Sequence, residues 1–112
     1  MMIKGLIAPL LTPFDDNLNL DQSLYNDLAK HLLATGVSGL APFGTTGEAL
    51  SVSHSERKAA LEGLVKAGID PAVMIPGTGL CNLPDTIDLC QQAVGLGWAG
   101  VMVLPPFYFK GM

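Results

Sequence analysis

The chain has 112 residues, enough for one small domain, and its 49% hydrophobic and 14% charged content excludes a disordered polymer. A net charge of −4 without a basic run argues against a nucleic-acid surface, and no apolar run approaches the roughly 18 residues of a membrane span. So apolar a composition points to elements covered on both faces, as in parallel sheets.

The opening "MMIKGLIAPLLTPF" places one lysine before an apolar stretch. That stretch is short, Pro9 interrupts it and no small-residue cleavage site follows, so it reads as a first strand of a cytoplasmic protein. The strand is "GLIAPLL", closed by Thr12 and Pro13. After the polar turn "DDNLN", apolar residues at Leu20, Leu24, Leu28 and Leu32, with Tyr25 and Ala29 beside them, predict a helix that stops at Gly36. "SGLAPF" predicts a second strand, followed by a Gly-Thr-Thr-Gly turn. Ser53 and Glu56 form a capping box for a second helix that buries Leu61, Leu64 and Val65 and ends at Gly68. "AVMIPGTG" predicts a third strand and a glycine-rich turn. Asn82 caps a third helix with Pro84 in its first turn and Leu83, Ile87, Cys90 and Val94 as its buried stripe. "AGVMVLPP" predicts a fourth strand, and "FYFKGM" follows it.

Strands recurring at about 30 residues with helices between them are strand–helix–strand units, whose strands run parallel and present their C-terminal ends on one rim. Two architectures fit: an open parallel sheet, or the N-terminal half of an eight-fold α/β barrel. A complete barrel takes about 250 residues, so this chain holds about four units, the last incomplete. In the half-barrel case, residues 1–112 would be a partial (β/α)8 barrel whose first and fourth strands are long apolar edges, a surface that invites association.

Thr45 and Thr46 follow the second strand, where a turn can direct N–H groups and hydroxyls at a carboxylate or phosphate. The alternative is a tight turn in which the threonines satisfy local backbone groups, since the segment matches no phosphate-loop pattern. Glu48 is read as a brace of this turn through backbone N–H groups. Tyr108 lies past the fourth strand on the same rim, where a phenol near a threonine hydroxyl can pass a proton; with Phe107 and Phe109 it can equally pack or cover a subunit contact. The "PGTGL" loop adds glycines that allow close backbone approach. His31 and His54 read as ordinary helix residues, and Cys81 and Cys90 as reduced thiols without metal-ligand spacing.

"GTTGEALSVSHSE", with Glu56 eight residues after Glu48, resembles the signature of the dihydrodipicolinate synthase/N-acetylneuraminate lyase family. "GLIAPLLTPF", "IPGTG" and "LPPFYFKG" resemble that family in the same order. The resemblance implies a TIM barrel, usually tetrameric, in which a lysine Schiff base condenses or cleaves a 2-oxo acid such as pyruvate without metal or organic cofactor. It implies that Thr45 and Thr46 hold the pyruvate carboxylate, and that Thr46 and Tyr108 belong to a proton relay. The resemblance further implies that the Schiff-base lysine and a second relay tyrosine belong to later strands, beyond this sequence.

Local lysines are poor substitutes, because a Schiff-base amine must be desolvated and must point into the pocket. Lys4 precedes the first strand, Lys30, Lys58 and Lys66 belong to helices, and Lys110 lies in the terminal tail. Lysine-inhibited synthases resembling this chain carry a tyrosine at Phe107 and an asparagine at Cys81, so lysine feedback is not expected and a general sugar-acid or 2-oxo-acid aldolase gains ground over lysine biosynthesis. Two other readings stay open: a non-enzymatic half-barrel that assembles with itself or a complementing fragment, and an open-sheet anion-binding module.

Overall fold

The computed structural model of the protein describes residues 4–80 and 82–103. The elements in chain order are β1 (Ile7–Leu10), α1 (Gln22–Ala34), β2 (Gly39–Pro42), α2 (His54–Lys66) and α3 (Leu83–Leu96), with 3-10 turns at Ala49–Ser51 and Pro71–Val73.

β1 and β2 pair in parallel with Ile7 opposite Gly39 and Leu10 opposite Pro42. The ladder continues through single parallel bridges, Leu40 to Met74 and Gly77 to Met102. Ile75 N–H donates to the Leu40 carbonyl (2.9 Å), Gly77 N–H to Pro42 (2.7 Å), and Met102 N–H to Pro76 (2.9 Å). The third and fourth segments therefore add to the sheet in sequence order, although each pairs too briefly to make a full strand. Pro76 lies in the third segment, and a proline contributes no N–H to a ladder. Among the described residues, the apolar edges anticipated for the first and fourth strands are short: Leu6 and Leu11 flank β1, and Val101, Met102 and Val103 lie in the fourth segment, all exposed. β1 has four residues, and the fourth segment is bridged at Met102 alone.

Each helix starts where its cap residue dictates. Asp21 accepts from Leu24 N–H (3.1 Å), and Asn82 accepts from Asp85 N–H (2.9 Å) with Pro84 in the first turn. Ser53 and Glu56 make the reciprocal capping box of α2. Gly36, Gly68 and Gly97 follow the helices with positive φ.

The core joins Leu10 and Leu40 of the sheet to Tyr25, Ala29, Ala60, Leu61, Leu64 and Ala93 of the helices, with Phe43, Met74 and Trp98. Packing selects the buried face of each helix, and for α3 that face differs from the stripe read in the sequence. In α1 the buried residues are Tyr25 and Ala29, whereas Leu24 is exposed and Leu28 and Leu32 are half-buried. In α3 the helix turns Thr86, Leu89 and Ala93 inward, leaving Leu83, Ile87 and Val94 exposed. In α2, Leu61 and Leu64 are fully buried and Val65 packs beside them.

Candidate functional site: a threonine turn on the strand-end rim

Residues 43–51 leave the C-terminal end of β2, the same end at which β1 runs into Thr12. Phe43 (φ 57°) and Glu48 (φ 55°) bracket the turn in the left-handed region. That conformation costs a non-glycine residue about 1–2 kcal/mol and persists only where the surroundings impose it. The surroundings are visible. Glu48 N–H donates to the Thr45 carbonyl (3.1 Å), Ala49 N–H to Gly44 (3.3 Å), and the Thr12 hydroxyl to the Gly47 carbonyl (2.6 Å). A Cβ on Gly47 would stand 2.7 Å from the Leu10 carbonyl oxygen, so only glycine lets the turn sit this close to β1.

Thr45 and Thr46 are both exposed at the tip. Among the described residues, neither the Thr46 amide nor the Gly47 amide donates to another backbone group. Turns of successive backbone amides at a strand end are a general anion-binding form. Glu48 braces this turn through its own N–H, which donates to the Thr45 carbonyl, and not through its carboxylate. It is exposed and its side chain makes no cap hydrogen bond, so its contribution lies in its left-handed backbone.

Beneath the turn lies Arg57, 1% exposed, which the sequence reading did not single out. Its guanidinium donates to the Ala49 carbonyl (2.7 Å) and, at longer range, to Gly79 (3.4 Å) and Gly77 (3.5 Å). Its Cζ sits 5.9 Å from the Phe43 ring centroid, a cation–π distance, and Phe43 in turn lies 5.7 Å from the Tyr25 ring. Burial pushes the Tyr25 phenol up, keeping it un-ionised. The signal that could have found Arg57 is its spacing from Leu61 and Leu64, which places it on the apolar stripe of α2.

The "PGTGL" loop closes the other side. A Cβ on Gly77 would collide with the Phe43 carbonyl, so the close backbone approach foreseen there is real and directed at the threonine turn. Thr78 is buried, donates its N–H to the Met102 carbonyl (2.9 Å), and has its hydroxyl 3.2 Å from the Cys90 sulfur. Cys90 is a free thiol.

Among the described residues no lysine is buried; Lys4, Lys30 and Lys66 are exposed, and Lys58 pairs with Asp88 at 2.9 Å. His54 joins that pair, with Nε2 at 2.7 Å from the same carboxylate, and His31 is exposed at the end of α1. Among the described residues no group of three or more His, Cys, Asp or Glu could hold a metal, and no helix is long and apolar enough to cross a membrane. Tyr108, Phe107, Phe109, Lys110 and Cys81 lie outside the described residues.

The dihydrodipicolinate synthetase family matches the chain over residues 2–112. The chain belongs to that family. It is 33% identical over 109 residues to the 4-hydroxy-tetrahydrodipicolinate synthase of Bartonella quintana, covering 97% of this chain and 37% of that protein. The crystal structure of dihydrodipicolinate synthase from Agrobacterium tumefaciens superposes with a TM-score of 0.89 at 32% identity, over 97% of this chain and 38% of that one. YagE, a prophage protein of the same family from E. coli K12 crystallised with pyruvate, matches with a TM-score of 0.85 at 34% identity, over 96% of this chain and 36% of that one. The family fold is the TIM barrel, and the observed parallel segments with three helices are a piece of it. An open-sheet module is thereby set aside. The chain spans about 37% of the length of the curated relatives it matches.

Proposed function

We propose that this chain supplies the carboxylate-gripping part of a pyruvate-dependent Schiff-base lyase, which joins a 2-oxo acid reversibly to an aldehyde. The observation that carries the reading is the threonine turn, exposed at the strand-end rim and fixed from below by Thr12 and Arg57. Pyruvate in the related YagE structure supports a 2-oxo acid as the ligand. In this reading Thr45 and Thr46 bind the carboxylate, and Thr46 passes protons with Tyr108.

The chemistry needs an amine that condenses with the ketone, losing water, so that the resulting iminium draws electrons as a C3 proton leaves. The nucleophilic carbon then attacks the aldehyde, and water releases the product and regenerates the amine. A solvated ammonium is a poor nucleophile, and the lack of a buried lysine among the described residues supports an amine supplied from outside them. We place the protein in the cytoplasm as a homo-oligomer, tetrameric when the barrel is complete, without metal or organic cofactor. Phe107 and Cys81 favour a sugar-acid or other 2-oxo-acid aldolase over a lysine-regulated synthase.

Borohydride reduction with pyruvate, followed by mass spectrometry, tests where the amine lies. The expected result is no adduct on any lysine of this chain, while calorimetry shows pyruvate binding and none by its neutral methyl ester. A stable lysine adduct would show a self-sufficient catalyst instead.

A second reading rests on the outward apolar face of α3, where Ile87, Cys90 and Val94 line a shallow groove. In that reading the chain is a non-catalytic half-barrel that self-assembles or complements another fragment. Sedimentation tests it: a stable monomer with a cooperative melt removes the self-assembly reading.

A further inference from the structure

The placement of Arg57 is costly on two counts. A cation in the first turn of a helix opposes the positive end of the helix dipole, and burying a guanidinium forfeits its hydration. The capping box leaves no freedom in the matter. Ser53 and Glu56 fix where α2 begins, Arg57 N–H donates to the Ser53 carbonyl (3.0 Å), and the residue then falls on the face that carries Leu61 and Leu64. Among the described residues, carbonyl acceptors from two different loops help offset the burial: Ala49, at the trailing end of the threonine turn (2.7 Å), and, at longer range, Gly79 (3.4 Å) and Gly77 (3.5 Å) of the neighbouring rim loop.

From this geometry we infer that Arg57 is the positioning residue of the carboxylate site. Its planar fork ties the threonine turn to the 77–79 loop and holds Thr45 and Thr46 in a binding-ready arrangement. The inference rests on the 2-oxo-acid reading for the identity of the ligand, and on the coordinates alone for the tie. Three contacts converge on the same small region. Arg57 holds the Ala49 carbonyl, its Cζ lies 5.9 Å from the Phe43 ring centroid where the left-handed turn begins, and Gly77 presses against the Phe43 carbonyl. Neither loop can shift without disturbing the guanidinium. A binding constellation loses much of its value when its groups stray by about 0.5 Å, so a rigid tie beneath the turn bears on affinity as well as on stability. An ammonium lacks the fork needed to serve acceptors in both loops at fixed angles, so lysine does not replace this arginine.

The test compares the unmutated chain with Arg57→Gln and Arg57→Lys by amide hydrogen exchange and by titration with pyruvate. The Glu48, Ala49, Gly77 and Thr78 amides are all hydrogen-bonded and serve as slow-exchanging probes of the two loops. Both variants are expected to speed exchange at all four by tenfold or more, with Tyr25 and Ala29 of α1 unchanged, and to weaken pyruvate binding at least fivefold. Unchanged exchange at either loop overturns the inference, as does equal acceleration throughout α1, which marks a merely structural role. Full retention by Arg57→Lys also overturns it, because charge alone would then suffice. If neither variant folds, native-state exchange of the unmutated chain in low urea decides: the two loops open together if tied, and independently if not. Failure of the unmutated chain to bind pyruvate counts against the 2-oxo-acid reading alone, since the exchange data decide the tie.

Discussion

The Thr12 hydroxyl donates to the Gly47 carbonyl across 2.6 Å, joining the end of the first strand to a turn 35 residues away. The bond is buried, so its loss leaves a carbonyl without water or partner. Thr12→Val keeps the shape and removes the donor, and is expected to destabilise the chain by about 1–3 kcal/mol in urea unfolding. Thr12→Ser retains the donor and should recover most of that loss.

Gly77 and Gly95 make a matched pair of opposite sign. A methyl group at Gly77 meets the Phe43 carbonyl, and displacing that backbone is expected to lower stability by about 1–3 kcal/mol. Gly95 lies in α3 with nothing within 4 Å of an added Cβ. There alanine should stabilise by about 0.5–1 kcal/mol through helix propensity. Thermal melts of the two variants should move in opposite directions.

The inward face of α3 is testable in the same way. Leu89 is 1% exposed and Val94 is 79% exposed. Leu89→Ala should cost about 2–5 kcal/mol, while Val94→Ala should stay within about 0.5 kcal/mol. The opposite order would restore the stripe read from the sequence.

Asp88 bridges α2 and α3. The Lys58 ammonium beside it holds its carboxyl below the usual carboxylate range, against an opposing effect of desolvation, with a lesser lowering from His54. Because the folded value is depressed, the associated stability is present above the unfolded carboxyl value of about 3.9 and is lost as pH falls through the folded one. Carboxyl NMR titration should show Asp88 protonating later on acidification than a model aspartate. Lys58→Met should raise its midpoint, and added salt should shrink the difference because the pair is exposed.

Much of this was legible because its causes are local. Ser53 and Glu56, Asp21 and Asn82 announce helix starts by side-chain chemistry that acts within three residues. The α3 face was misread for an equally physical reason. Leu83, Ile87, Cys90 and Val94 share one helical spacing, and Thr86, Leu89 and Ala93 share another on the adjacent face. Periodicity establishes a helix, but only packing on the rest of the fold selects between two such stripes. Thr45 and Thr46 could be placed from the turn that follows a strand, whereas Arg57 could not be valued in advance. Its acceptors among the described residues, at Ala49, Gly77 and Gly79, are backbone carbonyls, which carry no side-chain signature.

The central claim is that the threonine turn grips the carboxylate of a 2-oxo acid, and an amide-resolved NMR titration with pyruvate tests it most directly. Saturable shifts centred on the Thr45, Thr46 and Gly47 amides, abolished in a Thr45→Val/Thr46→Val variant that still melts cooperatively, are the predicted result. Shifts that leave those amides untouched, or that survive the double substitution, would contradict it.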